Sequence, residues 1–89
     1  MLQGPNKSGS FQCPCCGYYT FDESLEGSYA ICAVCFWEDD AIQLAKPDYC
    51  GGANQVSLQQ AQQNFAAFGV SAPEFKRYVR AAHPDELPD

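Results

Sequence analysis

The chain has 89 residues, six cysteines and a formal net charge of −6. This length allows one domain with a small core and excludes two separately folded units. The five Lys and Arg residues are too few for the phosphate neutralisation that dominates nucleic-acid affinity, so direct binding of DNA or RNA is disfavoured. An acidic surface instead favours a basic protein partner, whose approach it would steer.

The first ten residues are rich in Gly, Pro, Asn and Ser and have no periodic apolar pattern, so we predict a flexible leader over residues 1–10. They hold no apolar run typical of a signal peptide, and no later stretch approaches the roughly 20 apolar residues of a membrane span. The sequence therefore predicts a cytoplasmic protein that does not bind membranes. In a reducing compartment, closely paired cysteines are typical of metal ligands rather than of disulfides.

Two CxxC motifs, Cys13/Cys16 and Cys32/Cys35, are separated by fifteen residues. This spacing is typical of zinc sites, because each short turn points two sulfurs into the same pocket. The motifs predict one structural Zn²⁺ held by four thiolates, with no open coordination position for water or substrate. Four-thiolate iron, as in rubredoxin-like electron carriers, is the chemical alternative.

The other two cysteines are Cys15 and Cys50. Cys15 lies between two predicted ligands, so we expect its thiol to point away from the metal. An alternative in which Cys15 replaces Cys16 would shorten the turn and strain the chelate. Cys50 is either a fifth thiol near the site or a bystander in a loop. If either thiol is reactive, the chain could be a redox or metal-handling protein.

Aromatic and β-branched residues on both sides of Gly27, within residues 18–21 and 29–31, predict a short hairpin between the two CxxC motifs. With the two cysteine knuckles, this hairpin is typical of a zinc ribbon. Further along, proline and paired glycines predict a loop over residues 47–54.

Residues 36–40, which follow the second CxxC motif, combine two aromatic side chains with three carboxylates. One interpretation is a partner-binding edge in which Trp37 is an aromatic anchor and Glu38, Asp39 and Asp40 select a basic surface. The other is that Trp37 packs over the knuckle while the carboxylates face water. The sequence places no nucleophile or base beside these carboxylates, so we predict no catalytic residues and no enzyme activity.

A first helix is predicted to begin at Ser57, because Gln60 three residues later completes a capping box. Gly69 ends it by supplying the left-handed conformation of many helix C-termini. Apolar residues at three- and four-residue steps form one face: Leu58, Ala61, Phe65 and Phe68.

A second helix is predicted from Ser71, where Glu74 completes another capping box, to Pro84. Residues 11–83 are thus predicted to form a single zinc-binding domain of the small α+β class. It combines a zinc-ribbon-like β-hairpin carrying two CxxC knuckles with two short C-terminal helices. Residues 84–89 are predicted to be an acidic tail.

Residues 13–18 read CPCCGY, residues 32–40 read CAVCFWEDD, and residues 47–58 contain PDY, GGAN and VSL. Further matching positions are Ala61, Asn64, Phe65, Phe68 and Gly69. With this combination the chain resembles the CPCC family of small cysteine-rich bacterial proteins over about residues 11–80. It departs from the family pattern at Ala33, where proline is expected, and at residues 41–45, which are more apolar than the usual acidic stretch.

The resemblance implies the fold and the metal site but not an activity. Similar small acidic proteins are often immunity proteins that neutralise a toxin. We therefore expect a non-catalytic zinc-binding module that binds a basic protein partner, with a bacterial toxin as the specific hypothesis. The alternatives are a zinc-ribbon adaptor in nucleic-acid machinery and a rubredoxin-like or thiol redox protein.

Overall fold

Two short hairpins built around the CxxC motifs form the first half of the fold in the computed structural model, which describes residues 9–22 and 29–88. Strand β1 (Phe11–Gln12) and strand β2 (Tyr19–Phe21) are antiparallel, with Phe11 opposite Phe21 and Gln12 opposite Tyr19. The first CxxC turn connects them. Across the second turn, Ile31 and Glu38 form a single antiparallel bridge.

The two-stranded hairpin is confirmed, but its strands are not the predicted pair. β2 pairs with β1, and Gly27, the centre of the predicted hairpin, lies outside the described residues. Each CxxC turn closes on itself through backbone hydrogen bonds. The segments that flank a turn are therefore nearest to each other, which explains the pairing.

Helix α1 (Ala41–Ala45) was not predicted. Its N-cap is Asp40, whose carboxylate accepts hydrogen bonds from the backbone N–H groups of Ile42 and Gln43 at 2.8 and 3.0 Å. Residues 46–57 then contain neither helix nor strand, which confirms the loop predicted over residues 47–54. The loop leads into the longest helix of the described chain.

Helix α2 (Leu58–Phe68) follows the predicted bounds. The Ser57 hydroxyl accepts a hydrogen bond of 3.1 Å from the Gln60 N–H. Gly69 ends the helix with a φ of 81°, a conformation that costs glycine little. Local capping chemistry therefore sets both ends of α2.

The predicted second α-helix is instead a 3₁₀ helix, Pro73–Tyr78. Ser71 does not cap it: the Ser71 N–H donates to the Cys35 carbonyl at 2.8 Å, and the Ser71 carbonyl accepts from the Asn64 amide at 2.8 Å. Further on, the Arg80 N–H donates to the Ala33 carbonyl at 3.0 Å. These tertiary hydrogen bonds fix both flanks of the segment and leave room for only a short helix.

Part of the predicted acidic tail is tied to the domain. A second 3₁₀ helix spans Pro84–Glu86. The Glu86 carboxylate forms a bidentate ion pair with the Arg80 guanidinium, with N···O distances of 2.8 and 2.9 Å. The hydrogen bonds from Arg80 lower the pKa of Glu86 to about 2. Asp89 lies outside the described residues, as do residues 1–8 of the predicted leader.

The core lies beneath the two cysteine turns and is covered by α2. Its buried members include three cysteines of the CxxC motifs together with Trp37, Phe21, Val34, Leu58 and Ala61. Within residues 9–22 and 29–88, no helix combines the length and apolar character that crossing a membrane requires.

Candidate metal centre

The first CxxC turn is closed by a pair of backbone hydrogen bonds. The Cys13 N–H donates to the Tyr18 carbonyl at 2.8 Å, and the Gly17 N–H donates to the Cys13 carbonyl at 2.9 Å. Gly17 has a φ of 83°, a conformation that glycine adopts at little cost. The Gln12 side-chain amide supports the turn by donating to the Gly17 carbonyl at 2.9 Å.

The second CxxC turn repeats this arrangement. The Cys32 N–H donates to the Trp37 carbonyl at 2.8 Å, and the Phe36 N–H donates to the Cys32 carbonyl at 2.9 Å. Phe36 occupies the position that Gly17 holds in the first turn, and it has a similar φ of 72°. The two motifs therefore form equivalent knuckles that present their sulfurs in the same way.

The four sulfurs of the predicted ligands meet in one group in which all lie within 4.8 Å of one another. The Cys13–Cys35 and Cys16–Cys32 sulfur pairs are each 3.7 Å apart. All four cysteines are free thiols rather than disulfide partners. A tetrahedral ion with metal–sulfur bonds of about 2.3 Å would place its ligands ~3.8 Å apart. The donor set and its spacing fit one metal ion, which this group could hold.

Among residues 9–22 and 29–88, the sulfur of Cys32 has more backbone and hydroxyl hydrogen-bond donors around it than the other three sulfurs. It accepts a hydrogen bond of 3.0 Å from the Thr20 hydroxyl, and the backbone N–H groups of Val34 and Cys35 approach it at 3.4 and 3.5 Å. Donors aimed at a sulfur stabilise its thiolate form. Thr20 was not predicted to belong to the site, although it lies four residues after the second cysteine of the first motif.

The thiols influence one another's protonation. Burial raises the pKa of Cys13 well above its ordinary value. Hydrogen bonds from Cys13, Cys16 and Cys35 lower the pKa of Cys32, while the hydrogen bond to Cys13 raises that of Cys35. Cys32 therefore ionises more easily than Cys13 and Cys35. A bound cation would allow all four to ionise together.

Later parts of the chain hold both knuckles from outside. The Gln62 side chain, on α2, donates to the Pro14 carbonyl at 2.9 Å. The second knuckle receives the N–H groups of Ser71 and Arg80, which bind the carbonyls of Cys35 and Ala33. The relative position of the two knuckles is thus fixed by the helix and by the segment that follows it.

The remaining cysteines, Cys15 and Cys50, are not members of the sulfur group. Cys15 is buried in the core, and Cys16 rather than Cys15 joins the group. Cys50 is exposed in the loop after α1. The geometry thus favours the regular CxxC pairing over the alternative that used Cys15.

The structure corrects the predicted partner-binding edge. Trp37 is completely buried, and Asp39 and Asp40 are also buried. Trp37 packs in the core beneath the second knuckle, while Asp40 caps α1 and accepts a hydrogen bond of 2.8 Å from the Ala53 N–H. Of the four residues, Glu38 alone is partly accessible. The packing interpretation therefore holds for Trp37, and two of the three carboxylates do not face water.

A buried polar network, missed by the sequence reasoning, explains this arrangement. Gln43 is fully buried, and its amide donates to the carbonyls of Tyr49, Asn54 and Val56 at 3.0–3.1 Å. The Asn54 side chain accepts from the Glu38 N–H at 2.9 Å and donates to the Glu38 carbonyl at 2.8 Å. The network attaches the loop to the segment that leaves the second knuckle.

Comparison with known protein families agrees with the resemblance in the sequence. The family described as cysteine-rich CPCC matches residues 11–86, which include both knuckles, the loop and α2. No curated protein matches the chain. Since the family match covers most of the chain and every cysteine of the sulfur group, this protein belongs to the cysteine-rich CPCC family.

Proposed function

We propose that the chain is a non-catalytic protein-interaction module that folds around one structural Zn²⁺. The observation that carries the proposal is the group of four cysteine sulfurs with paired spacings of 3.7 Å. An all-sulfur tetrahedral set favours zinc among abundant divalent ions. Structural zinc supplies roughly 10–16 kcal/mol in small zinc-binding peptides, about as much as the whole stability of an ordinary domain.

The ligand set also supports a structural rather than a catalytic role. Four protein sulfurs fill a tetrahedral ion and leave no position for a water molecule or substrate. Three of the four cysteines are completely buried, at 0% exposure for Cys13, Cys32 and Cys35. The chain's own residues in this site therefore orient and shield the ion, and the functional contacts belong on the outer surface.

The charge of the chain supports a basic protein partner. A net charge of −6 on 89 residues disfavours nucleic acid and accelerates association with a positively charged protein. The specific form that we propose is an immunity or inhibitor protein that covers the functional surface of a bacterial toxin. A reducing cytoplasm is the proposed location, because the four thiolates must remain reduced to bind metal.

Iron is the second candidate, and one observation favours it. Three hydrogen-bond donors surround the Cys32 sulfur, and such donors tune the reduction potential of iron–thiolate centres. The same four ligands would then serve electron transfer rather than folding alone.

Affinity purification of the tagged full chain from its native cells, with metal analysis of the recovered complex, tests the proposal. We expect one zinc per chain and one stoichiometric protein partner, which re-forms the complex with the zinc-loaded chain after separate purification. Cys50→Ser removes an exposed thiol outside the sulfur group, so this control variant should bind zinc and the partner like the native chain. Iron in the recovered protein would favour electron transfer. Nucleic acid that stays bound at moderate salt would favour the adaptor alternative.

A further inference from the structure

Phe36 adopts a backbone conformation that is unfavourable for a bulky residue. Its φ of 72° matches that of Gly17 in the other knuckle, but a phenylalanine there costs about 1–2 kcal/mol. Its ring nevertheless stays half-buried, against the rings of Phe75 and Tyr78 at centroid distances of 4.6 and 5.4 Å. Tyr78 is 59% exposed. Such a backbone conformation persists where the surrounding structure holds it, here in the turn of the second knuckle.

This aromatic cluster borders a cleft between the second knuckle, the loop and the first 3₁₀ helix. The cleft has a volume of about 240 Å³, and its apolar walls include Ile31, Val56 and Phe75. Pockets for drug-sized ligands usually enclose roughly 300–1,000 Å³. The smaller volume here suits one long side chain of a partner protein.

Two carboxylates give the cleft its charge. Glu38 and Glu74 belong to its lining. Glu38 lies directly opposite Ile31 in the antiparallel bridge, so the two side chains share one face of the hairpin. Ile31 is 48% exposed, which places that face toward solvent. Across residues 9–22 and 29–88, neither carboxylate forms an ion pair; the pair found there joins Arg80 and Glu86.

We propose that this cleft binds a single arginine side chain of a basic protein partner. The inference rests on the proposed function and adds the surface and the chemistry of recognition. Apolar walls accept the methylene groups of arginine, and its planar guanidinium stacks on aromatic rings. The carboxylates of Glu38 and Glu74 supply charge-assisted hydrogen bonds. Lysine fits less well, because its ammonium group is strongly hydrated and has no plane to stack.

Titration of the zinc-loaded, ¹⁵N-labelled chain with acetyl-Gly-Arg-Gly-amide, followed by NMR, tests the cleft. We expect saturable shifts centred on Ile31, Phe36 and Phe75. Matching peptides with Lys or Leu at the centre should bind more weakly by about tenfold or more. Absence of saturable shifts, shifts centred on another surface, or equal affinity for the Lys or Leu peptide would overturn the proposal.

Variants of the two carboxylates complete the test. Glu38→Gln and Glu74→Gln should each weaken binding of the arginine peptide by about tenfold, while Asp48→Asn, at an exposed carboxylate outside the cleft, should not. If both variants bind the arginine peptide with unchanged affinity, the proposed binding site is wrong. The experiments distinguish failure of the cleft from failure of the proposed function. A purified zinc-dependent complex that these variants leave unchanged would contradict arginine binding in the cleft but not the proposed function. Specific arginine binding without any cellular partner would contradict the proposed function and leave only the affinity of the cleft for arginine.

Discussion

The hydroxyl of Thr20 donates a hydrogen bond of 3.0 Å to the sulfur of Cys32. Thr20 belongs to strand β2, which follows the first knuckle, whereas Cys32 begins the second. This contact therefore connects the two halves of the metal centre directly. It also places a polar donor beside a sulfur whose pKa is already lowered by its hydrogen bonds with Cys13, Cys16 and Cys35.

Replacing Thr20 with valine should weaken zinc binding by roughly 10-fold or more, as substitutions behind metal ligands commonly do. The hydroxyl stabilises the Cys32 thiolate, so without it protons compete better with zinc. The midpoint of acid-induced zinc release should therefore move to higher pH. Competition with a chelator measures the affinity, and a pH titration of bound zinc measures the midpoint. Thr20→Ser keeps the hydroxyl and should resemble the native chain; a valine variant with native affinity would contradict the role.

Asp40→Asn should lower the free energy of unfolding of the zinc-loaded chain by about 1–3 kcal/mol. Hydrogen bonds from the N–H groups of Ala53 and Gln43 hold the pKa of Asp40 below its usual value, and asparagine would turn an amide donor toward one of these N–H groups. Because this pKa is lower in the folded state, the ionised Asp40 carboxylate stabilises the fold at pH values above its ordinary pKa of about 3.9. This stabilisation is lost as the pH falls. The cost should hence be constant between about pH 6 and 8, where Asp40 stays ionised.

Urea unfolding of the zinc-loaded variants measures this cost. Asp48→Asn, at an exposed carboxylate in the following loop, is the control and should change stability by less than about 0.5 kcal/mol. An Asp40 variant as stable as this control would show that the cap and the loop contact contribute little.

Gly52→Ala should destabilise the loop, because a β-carbon there would stand 2.8 Å from the Asp40 carboxylate and 2.9 Å from the Gln43 amide carbon. Both groups are anchored by hydrogen bonds and cannot move aside easily. Overpacking of this kind costs roughly 1–3 kcal/mol, which thermal unfolding would detect. Gln55→Ala, an exposed position in the same loop, should remain near native stability. Equal stability of the two variants would mean that the Asp40 and Gln43 side chains can shift to accommodate the added β-carbon at little cost.

Substitution of single cysteines should divide them into two groups. Cys16→Ser should lose zinc and unfold, because Cys16 belongs to the sulfur group. Cys15→Ala and Cys50→Ser should each retain one zinc, and Cys15→Ala should also lose some stability because its side chain is buried. Metal analysis after gel filtration separates these outcomes. Zinc retained by Cys16→Ser but lost by Cys15→Ala would reverse the ligand assignment.

Features that depend on neighbouring residues were predictable from the sequence. The CxxC spacing predicted the four sulfurs that meet, since a short turn brings both of its cysteines to one side. Ser57 and Gly69 predicted the ends of α2 for the same local reason, because a cap is satisfied within a few residues. The family resemblance rested on these local motifs together.

Features that depend on distant partners were not predictable. Ser71 looks like a helix cap in the sequence, but its N–H binds Cys35, which lies 36 positions earlier. Asp40 looks like part of a solvated acidic run, yet its carboxylate binds Ala53 across the loop. Gln43 has no sequence signal for burial, because its partners are backbone carbonyls that any residue offers. Tertiary hydrogen bonds therefore changed the roles expected of polar residues.

X-ray absorption at the zinc edge of the purified protein tests directly whether the four cysteines hold one zinc ion. We expect one zinc per chain with four sulfur neighbours at about 2.3 Å and no nitrogen or oxygen ligand. A zinc ion bound by fewer than four sulfurs, or a folded chain that retains no metal, would contradict this expectation.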